Sequence, residues 1–127
     1  MLSRVCSAAV NGIEAYPVEE LQPFGSHPRW IGPDLIGSDV HLFVGYEDGR
    51  PVATAIGAES GSIVAVEAVS TRPECRGKGY GAAITAAATM AAPHRPAGLV
   101  SSDLGRRVYE SLGYLAVHRY TLWIGVR

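Results

Sequence analysis

A basic, glycine-rich loop separates an apolar segment from an alanine-rich one. The loop spans Thr71–Gly81 and reads Thr-Arg-Pro-Glu-Cys-Arg-Gly-Lys-Gly-Tyr-Gly. Its three glycines let the backbone approach a ligand without side-chain obstruction. The helix expected to follow it presents unpaired N–H groups and a partial positive charge at its start. Because Arg76 and Lys78 add two full positive charges, the sequence predicts a site for a phosphate-like anion here.

The size, charge and cysteine count of the chain narrow the classes of protein it can represent. Its 127 residues, 47% of them hydrophobic, suit one compact domain over 1–127. A net charge of −1 gives no basic field for nucleic acid or an anionic membrane, so we expect neither as a partner. Cys6 and Cys75 are too few for a disulfide framework and wrongly spaced for zinc. We therefore expect no metal, no signal peptide or membrane span, and a cytoplasmic location.

The first third of the chain gives weaker structural signals than the rest. Apolar residues recur at helical spacing near the start, which predicts a short amphipathic helix over about Leu2–Ile13. Four prolines and several glycines between Tyr16 and Asp39 favour loops and one-turn helices. We find no clear strand signal before Val40.

Three β-prone segments follow, and the turns between them predict an antiparallel meander. His41–Tyr46 and Pro51–Ile56 flank an Asp-Gly pair, which is a strong signal for a hairpin. A second turn at Glu59–Ser62 leads into Ile63–Val69, a nearly continuous apolar segment typical of a central strand buried on both faces.

The remainder of the chain predicts helix, strand, helix, strand. Tyr80–Ala92 is rich in alanine and is followed by Pro93, which ends a helix. Gly98–Ser102 is a short strand candidate. Asp103–Leu112 is expected to form a helix with an Asp or Ser cap and Gly113 at its end, and Tyr114–Ile124 a long final strand.

The glycine-rich loop alone admits more than one interpretation. Gly77–Ala82 satisfies the dinucleotide-binding fingerprint, and Asp103 follows a strand roughly 20 residues later, where that fold places a ribose-binding acid. An antiparallel meander before the loop argues against that fold, which needs several parallel crossovers. The P-loop interpretation fails because no Lys-Ser/Thr pair follows the glycines.

A second segment, near the end of the chain, resolves the ambiguity. Tyr109, Gly113 and Tyr114 form the pattern Tyr-x-x-x-Gly-Phe/Tyr at the end of a predicted helix. In the loop, Arg76, Gly79 and Gly81 form the pattern Arg/Gln-x-x-Gly-x-Gly/Ala. In this order, and with the Val-x-Thr-x-Pro-Glu approach at 69–74, the two motifs resemble those of the GNAT acyltransferase superfamily.

The resemblance covers about Val40–Trp123 and implies a mixed α/β (α+β) fold. Its sheet is mostly antiparallel, and a bulged central strand splays from the next, parallel strand to open a cleft for acetyl-CoA or another acyl-CoA. Carried over, the backbone of Val69 and Thr71 pairs with the pantetheine arm. The pyrophosphate lies on the loop residues Arg76, Gly77, Lys78, Gly79, Tyr80 and Gly81. Ser102 stands where many members carry Asn, and we include it among the cofactor-binding candidates.

The resemblance also implies direct acetyl transfer to an amine, with two candidate catalytic residues. Tyr109 occupies the position of the family's usual acid, which protonates the departing thiolate; the alternative is a tyrosine that only packs against Leu112. Glu67 is the one charge in an apolar strand and is the candidate base. It is equally well explained as a solvent-facing residue beside a strand bulge, since other members use water or a base elsewhere.

The acceptor and the assembly are less constrained by these motifs. We expect a small-molecule or peptide amine, bound partly by the variable segment 1–39, which precedes the cofactor-binding core 40–127. The family's first strand has no counterpart in the sequence signals, so that strand is either absent or completed by another subunit or by upstream sequence. The resulting open sheet edge favours a homodimer. The competing class of function is an acyl-CoA-binding module without turnover.

Overall fold

The computed structural model describes residues 4–7, 39–121 and 123. Its strands are β1 (Arg4–Ser7), β2 (Val40–Glu47), β3 (Arg50–Ser60), β4 (Ile63–Thr71) and β5 (Ala97–Leu99), and its helices are α1 (Tyr80–Thr89) and α2 (Arg106–Ser111). Within the described residues, the five strands form one sheet in the order β1-β2-β3-β4-β5. Only β4 and β5 run parallel, so the predicted mixed, mostly antiparallel fold is confirmed.

The hairpin between β2 and β3 forms at the predicted Asp-Gly pair. Asp48 and Gly49 both have positive φ angles, of 49° and 80°. Two consecutive positive φ angles are what a two-residue hairpin turn matched to the twist of its strands requires. Glu47 and Arg50 pair directly across this turn, and the ladder continues to Val40 opposite Ala58.

The sheet begins with a strand that the sequence did not predict. β1 pairs antiparallel with β2, from Arg4 opposite Tyr46 to Ser7 opposite Phe43. The helix expected over Leu2–Ile13 is therefore wrong for 4–7, because pairing with the edge of β2 satisfies backbone groups that a local pattern cannot assign. Of the alternatives given for the family's first strand, absence is ruled out, because β1 of this chain pairs at that edge. The remainder of that helix, and the loops expected up to residue 38, lie outside the described residues.

Helix α1 packs against one face of the sheet and forms the core with it. The buried apolar side chains of this cluster are Val52, Ala53, Ala55, Val64, Val66, Cys75, Tyr80, Ile84 and Ala88. Gly57 permits the close approach of the helix, because a Cβ at this position would lie 2.6 Å from the carbonyl oxygen of Ala88. The core therefore fixes where α1 begins relative to the end of β4.

Helix α1 and the two elements after it are shorter than predicted. Helix α1 ends at Thr89 rather than Ala92, and β5 covers three residues rather than Gly98–Ser102. Helix α2 starts at Arg106, and its N-cap is Gly105, without a side-chain cap from the predicted Asp or Ser. Gly113 does end the helical region, with φ of 90°. Neither described helix is long and apolar enough to cross a membrane.

The predicted final strand does not form in the described part of Tyr114–Ile124. Residues 114–121 and 123 have no strand assignment, and the side chains of Leu115 and Val117 are 86% and 93% exposed. A strand needs an edge to pair with, and the neighbouring β5 ends after three residues. The final strand expected over Tyr114–Ile124 is therefore wrong for the described residues.

Candidate functional site

The parallel pairing between strands β4 and β5 is short. Their pairing covers three residue pairs and ends with Val66 opposite Leu99, while β4 continues to Thr71. The bend is built into β4: Ile56 of β3 pairs with Glu67, but Thr54 pairs with Ser70, which leaves one extra residue in β4. A β-bulge of this kind bends its strand and increases the local twist. The bulge in β4 therefore lies directly after the end of its pairing with β5.

The bulge includes an unusual backbone conformation beside a candidate catalytic residue. Ala68 has φ of 50°, which is uncommon for a residue other than glycine. Glu67 precedes it directly and follows Val66, the last residue of β4 paired with β5. The carboxylate of Glu67 is exposed, and within the described residues no hydrogen bond or ion pair holds it. The structure thus places Glu67 in the bulge, directly after the end of the pairing between β4 and β5.

The glycine-rich loop presents open backbone in front of helix α1. Gly77 and Gly79 have φ angles of 77° and 85°, and a Cβ added at either would meet nothing within 4 Å. Gly79 is also the N-cap of α1, with no side-chain cap. The first helical hydrogen bond runs from the N–H of Ala83 to the carbonyl of Gly79, at 3.0 Å. Earlier N–H groups of the first turn therefore lack helical partners and suit an anion.

The end of the loop lies beside the end of strand β4. A Cβ on Gly81, in the first turn of α1, would lie 3.3 Å from Oγ1 of Thr71, the last residue of β4. The absence of a Cβ at Gly81 thus allows the helix start to approach the end of the bulged strand.

The positive charges around the loop differ in their partners. Arg72 donates from Nε to Oε1 of Glu74 at 2.8 Å, and Nζ of Lys78 lies 3.3 Å from Oε2 of Glu47. Arg76 instead donates from Nε to the backbone carbonyl of Thr71, at 3.3 Å. Of these three cations, only Arg76 has no carboxylate partner within the described part of the chain.

Glu47 also contacts Tyr80 and was missed by the sequence analysis. The phenol of Tyr80, only 2% exposed, donates a hydrogen bond to Oε1 of Glu47. This bond, with desolvation and the carboxylate charge, raises the pKa of Tyr80 to about 12 and in turn lowers the pKa of Glu47. Glu47 therefore contacts both residues that flank Gly79. No sequence signal could identify it, because it lies 31 residues before Lys78 and 33 before Tyr80.

Tyr109 lies on α2 in a half-buried environment. Its ring packs on Gly105, where a Cβ would lie 2.9 Å from Cε2, and it meets the ring of Tyr114 edge to face at 6.2 Å between centroids. Burial, and then the neighbouring Tyr114, raises the pKa of Tyr109. The phenol therefore stays protonated at neutral pH and can donate a proton. Ser102 lies before α2 and accepts a hydrogen bond from the N–H of Gly105 at its Oγ, 3.3 Å away.

The described structure does not bring together the residues expected of a dinucleotide-binding site. Asp103, the candidate ribose-binding acid, is exposed and forms an ion pair with Arg119 at 2.9 Å. In the described part of the chain, β4 and β5 are the one parallel pair of strands. No group of three or more described His, Cys, Asp or Glu residues could hold a metal ion.

The short parallel pairing, the bulge in β4 and the adjoining glycine-rich loop define an acyltransferase-like α/β fold. Comparison with known proteins specifies the family. The sequence model of the acetyltransferase (GNAT) domain family matches residues 38–115, which is more than half of the chain. The chain belongs to the GNAT acetyltransferase family. No curated protein sequence matches it significantly.

Solved structures of acetyltransferases share this fold. Glucosamine-6-phosphate N-acetyltransferase from Arabidopsis thaliana superimposes with a TM-score of 0.71 and 15% identity, over 95% of this chain and 97% of that chain. The aminoglycoside N-acetyltransferase AAC(6')-Iy, bound to a bisubstrate analogue containing CoA, gives 0.76 and 17%, over 98% and 100%. A predicted acetyltransferase from Clostridium acetobutylicum, solved with acetyl-CoA, gives 0.56 and 20%, over 67% and 64%.

Proposed function

We propose that this protein is an acyl-CoA-dependent N-acetyltransferase that transfers an acetyl group directly from acetyl-CoA to an amine. The observation that carries the proposal is that β4 continues for five residues beyond its pairing with β5, with a bulge there, toward a loop with open backbone at Gly77 and Gly79. Membership of the GNAT family supports it, as do related folds solved with acetyl-CoA or a CoA analogue.

The donor would lie along the loop and the bulged strand. Backbone N–H groups of the loop from Gly77 to Gly81 would hold the pyrophosphate, and the guanidinium of Arg76 would add a charge-assisted contact. The backbone of Val69 and Thr71, in the part of β4 beyond its pairing with β5, would pair with the pantetheine arm as an added strand does. Ser102 would contact the cofactor from the start of α2. This arrangement brings the thioester to Glu67.

Transfer requires a neutral amine and a good leaving group. Glu67 would accept a proton from the acceptor amine, directly or through water, as the amine nitrogen forms its bond to the acetyl carbon. Tyr109 would donate its phenolic proton to the sulfur as the C–S bond breaks, which yields the amide and free CoA thiol. The raised pKa of Tyr109 keeps that proton in place until transfer.

The acceptor would be a small-molecule or peptide amine that approaches the exposed carboxylate of Glu67. A non-catalytic acyl-CoA-binding module is the second candidate function. It is favoured by the exposure of Glu67, whose carboxylate has no hydrogen bond or ion pair among the described residues to hold it toward an acceptor.

Binding and turnover must be measured separately to distinguish the two. Isothermal titration calorimetry with acetyl-CoA tests the donor site, and an assay for free thiol over a panel of amines tests transfer. We expect binding, thiol release that depends on the amine, and a loss of at least about a hundredfold in kcat for Tyr109→Phe with acetyl-CoA affinity unchanged. Binding without thiol release for any amine would favour the module. No binding would exclude both functions.

A further inference from the structure

The hydroxyl of Tyr114 bonds to the last residue of α1, Thr89, in a helix whose two threonines each donate to a backbone carbonyl one turn earlier. Thr85 donates from Oγ1 to the carbonyl of Gly81 at 2.7 Å, and Thr89 donates from Oγ1 to the carbonyl of Thr85 at 2.8 Å. The hydroxyl of Tyr114 lies 2.6 Å from Oγ1 of Thr89. Because a threonine hydroxyl has one hydrogen and Thr89 uses it toward Thr85, Tyr114 must be the donor to Thr89.

Tyr114 is also in contact with Tyr109 in two independent ways. Its backbone N–H donates to the carbonyl of Tyr109 at 3.0 Å, across the turn formed at Gly113. Its ring meets the ring of Tyr109 edge to face, with an angle of 69° between the ring planes. The side chain of Tyr114 therefore joins the residue that would donate the proton to the helix whose first turn follows the loop.

The hydroxyl itself is not needed by the fold. The family pattern accepts either Phe or Tyr after Gly113, and Phe would preserve the ring contact and the backbone bond. What the oxygen adds is the bond to Thr89, which limits sliding of the Tyr109 turn along α1.

We propose that Tyr114 is a positioning residue for acyl transfer: its hydroxyl, anchored on Thr89 at the end of α1, fixes the phenol of Tyr109 relative to the helix whose first turn follows the loop. The inference rests on the proposed function, in which Tyr109 protonates the leaving thiolate. A small displacement of a proton donor lowers the rate of the chemical step more than it weakens binding.

The test compares steady-state kinetics of variants at both ends of the bond. Tyr114→Phe and Thr89→Val each remove one partner, and Thr89→Ser retains the hydroxyl. We expect Tyr114→Phe and Thr89→Val to lower kcat about tenfold, with KM for acetyl-CoA within about twofold of wild type and Thr89→Ser close to wild type. Tyr120→Phe, at an exposed tyrosine of the same segment, is the control and should not change kcat.

A double variant distinguishes positioning from general structural support. In a Tyr109→Phe background, Tyr114→Phe should cause no further loss of kcat, because the group that it positions is already absent. A second measurement needs no substrate: the ring carbon signal of Tyr109, assigned by its absence in Tyr109→Phe, should move in Thr89→Val and stay in place in Thr89→Ser. Thr89→Val also keeps the test valid if Tyr114→Phe fails to fold.

The outcomes separate this inference from the proposed function. If Tyr109→Phe is impaired but Tyr114→Phe and Thr89→Val turn over like wild type, the positioning role is wrong and the proposed function stands. An equal loss from Tyr114→Phe in the presence and absence of the Tyr109 hydroxyl also overturns it. If Tyr109→Phe itself keeps wild-type turnover, the assignment of the acid fails, and the positioning role fails with it.

Discussion

The ammonium group of Lys78 lies 3.3 Å from a carboxylate oxygen of Glu47, at the loop that would hold an anion. Its charge is therefore largely compensated before any ligand arrives. Arg76, two residues earlier, donates from its Nε to a backbone carbonyl and has no carboxylate partner among the described residues. In that part of the chain the two cations therefore differ, although the sequence alone presents them as equal candidates.

We therefore expect the two cations to differ in their contribution to acetyl-CoA binding. Arg76→Ala should weaken affinity about tenfold or more, the value of a charge-assisted hydrogen bond to a phosphate. Lys78→Ala should weaken it by less than about threefold, because the ligand must compete with Glu47 for the ammonium group. Calorimetric titration of both variants at the same ionic strength checks this, and a larger loss for Lys78→Ala would contradict it.

The bond between Tyr80 and Glu47 predicts a pH dependence of stability. The folded protein raises the pKa of Tyr80 from 10.0 to about 12, so it holds this proton more tightly than the unfolded chain. The stabilisation is fully present below about pH 10 and is lost as the pH rises toward about 12. Glu47→Gln removes the charge, so tyrosinate should form at lower pH and alkaline unfolding should begin earlier.

Denaturant titrations over this pH range, with tyrosinate absorbance, measure both effects. Glu74→Gln is the matched control, because Glu74 is also a carboxylate paired with a nearby cation, Arg72. It should leave the alkaline titration unchanged. An identical shift in Glu74→Gln and Glu47→Gln would show that the Tyr80 bond is not the cause.

Alanine substitutions at two glycines with positive φ angles distinguish the effect of backbone strain from the effect of lost ligand contact. Gly79 in the loop and Gly61 in the turn between β3 and β4 have φ of 85° and 58°, and an added Cβ meets nothing at either. Alanine at either position should lower the free energy of unfolding by about 1 kcal/mol through backbone strain. Only Gly79→Ala should also weaken acetyl-CoA binding, by about tenfold. Equal affinities of the two variants would argue against a ligand at the loop.

Gly57 predicts a larger loss of stability for a different reason. A Cβ there would lie 2.6 Å from the carbonyl of Ala88 and 2.8 Å from the Cβ of Ala91, both at the helix that packs on the sheet. Gly57→Ala should reduce the free energy of unfolding by about 1–3 kcal/mol, typical of overpacking. In Gly98→Ala the nearest atom is a flexible Ile63 carbon at 3.6 Å, so this control should change stability less.

The parts of the fold that follow from local chemistry could be predicted from the sequence. The hairpin formed where Asp48 and Gly49 suit positive φ angles, and α1 formed where alanines follow the loop. β1 was missed because its partner, β2, lies far along the chain and a helical spacing happened to coincide. The last strand was wrong for a related reason: strand formation depends on a paired neighbour, and β5 covers only three residues.

The candidate site also contains features that could be predicted from the sequence and features that could not. The glycine loop and Tyr109 were identifiable because they lie in ordered motifs, and their roles stay predictions. The Glu47 contacts and the donation from Tyr114 to Thr89 could not be anticipated, because both join residues distant in sequence. Motifs show which residues face a ligand, whereas the contacts that hold those residues in place are visible only in the folded chain.

The most direct test of the central claim is mass spectrometry of an amine panel incubated with acetyl-CoA and the wild-type protein. The account predicts at least one amine that gains an acetyl group, with an equal amount of free CoA, and a loss of at least about a hundredfold in rate for Tyr109→Phe. Tight binding of acetyl-CoA with no acetylated amine and no CoA release above the uncatalysed rate would contradict it.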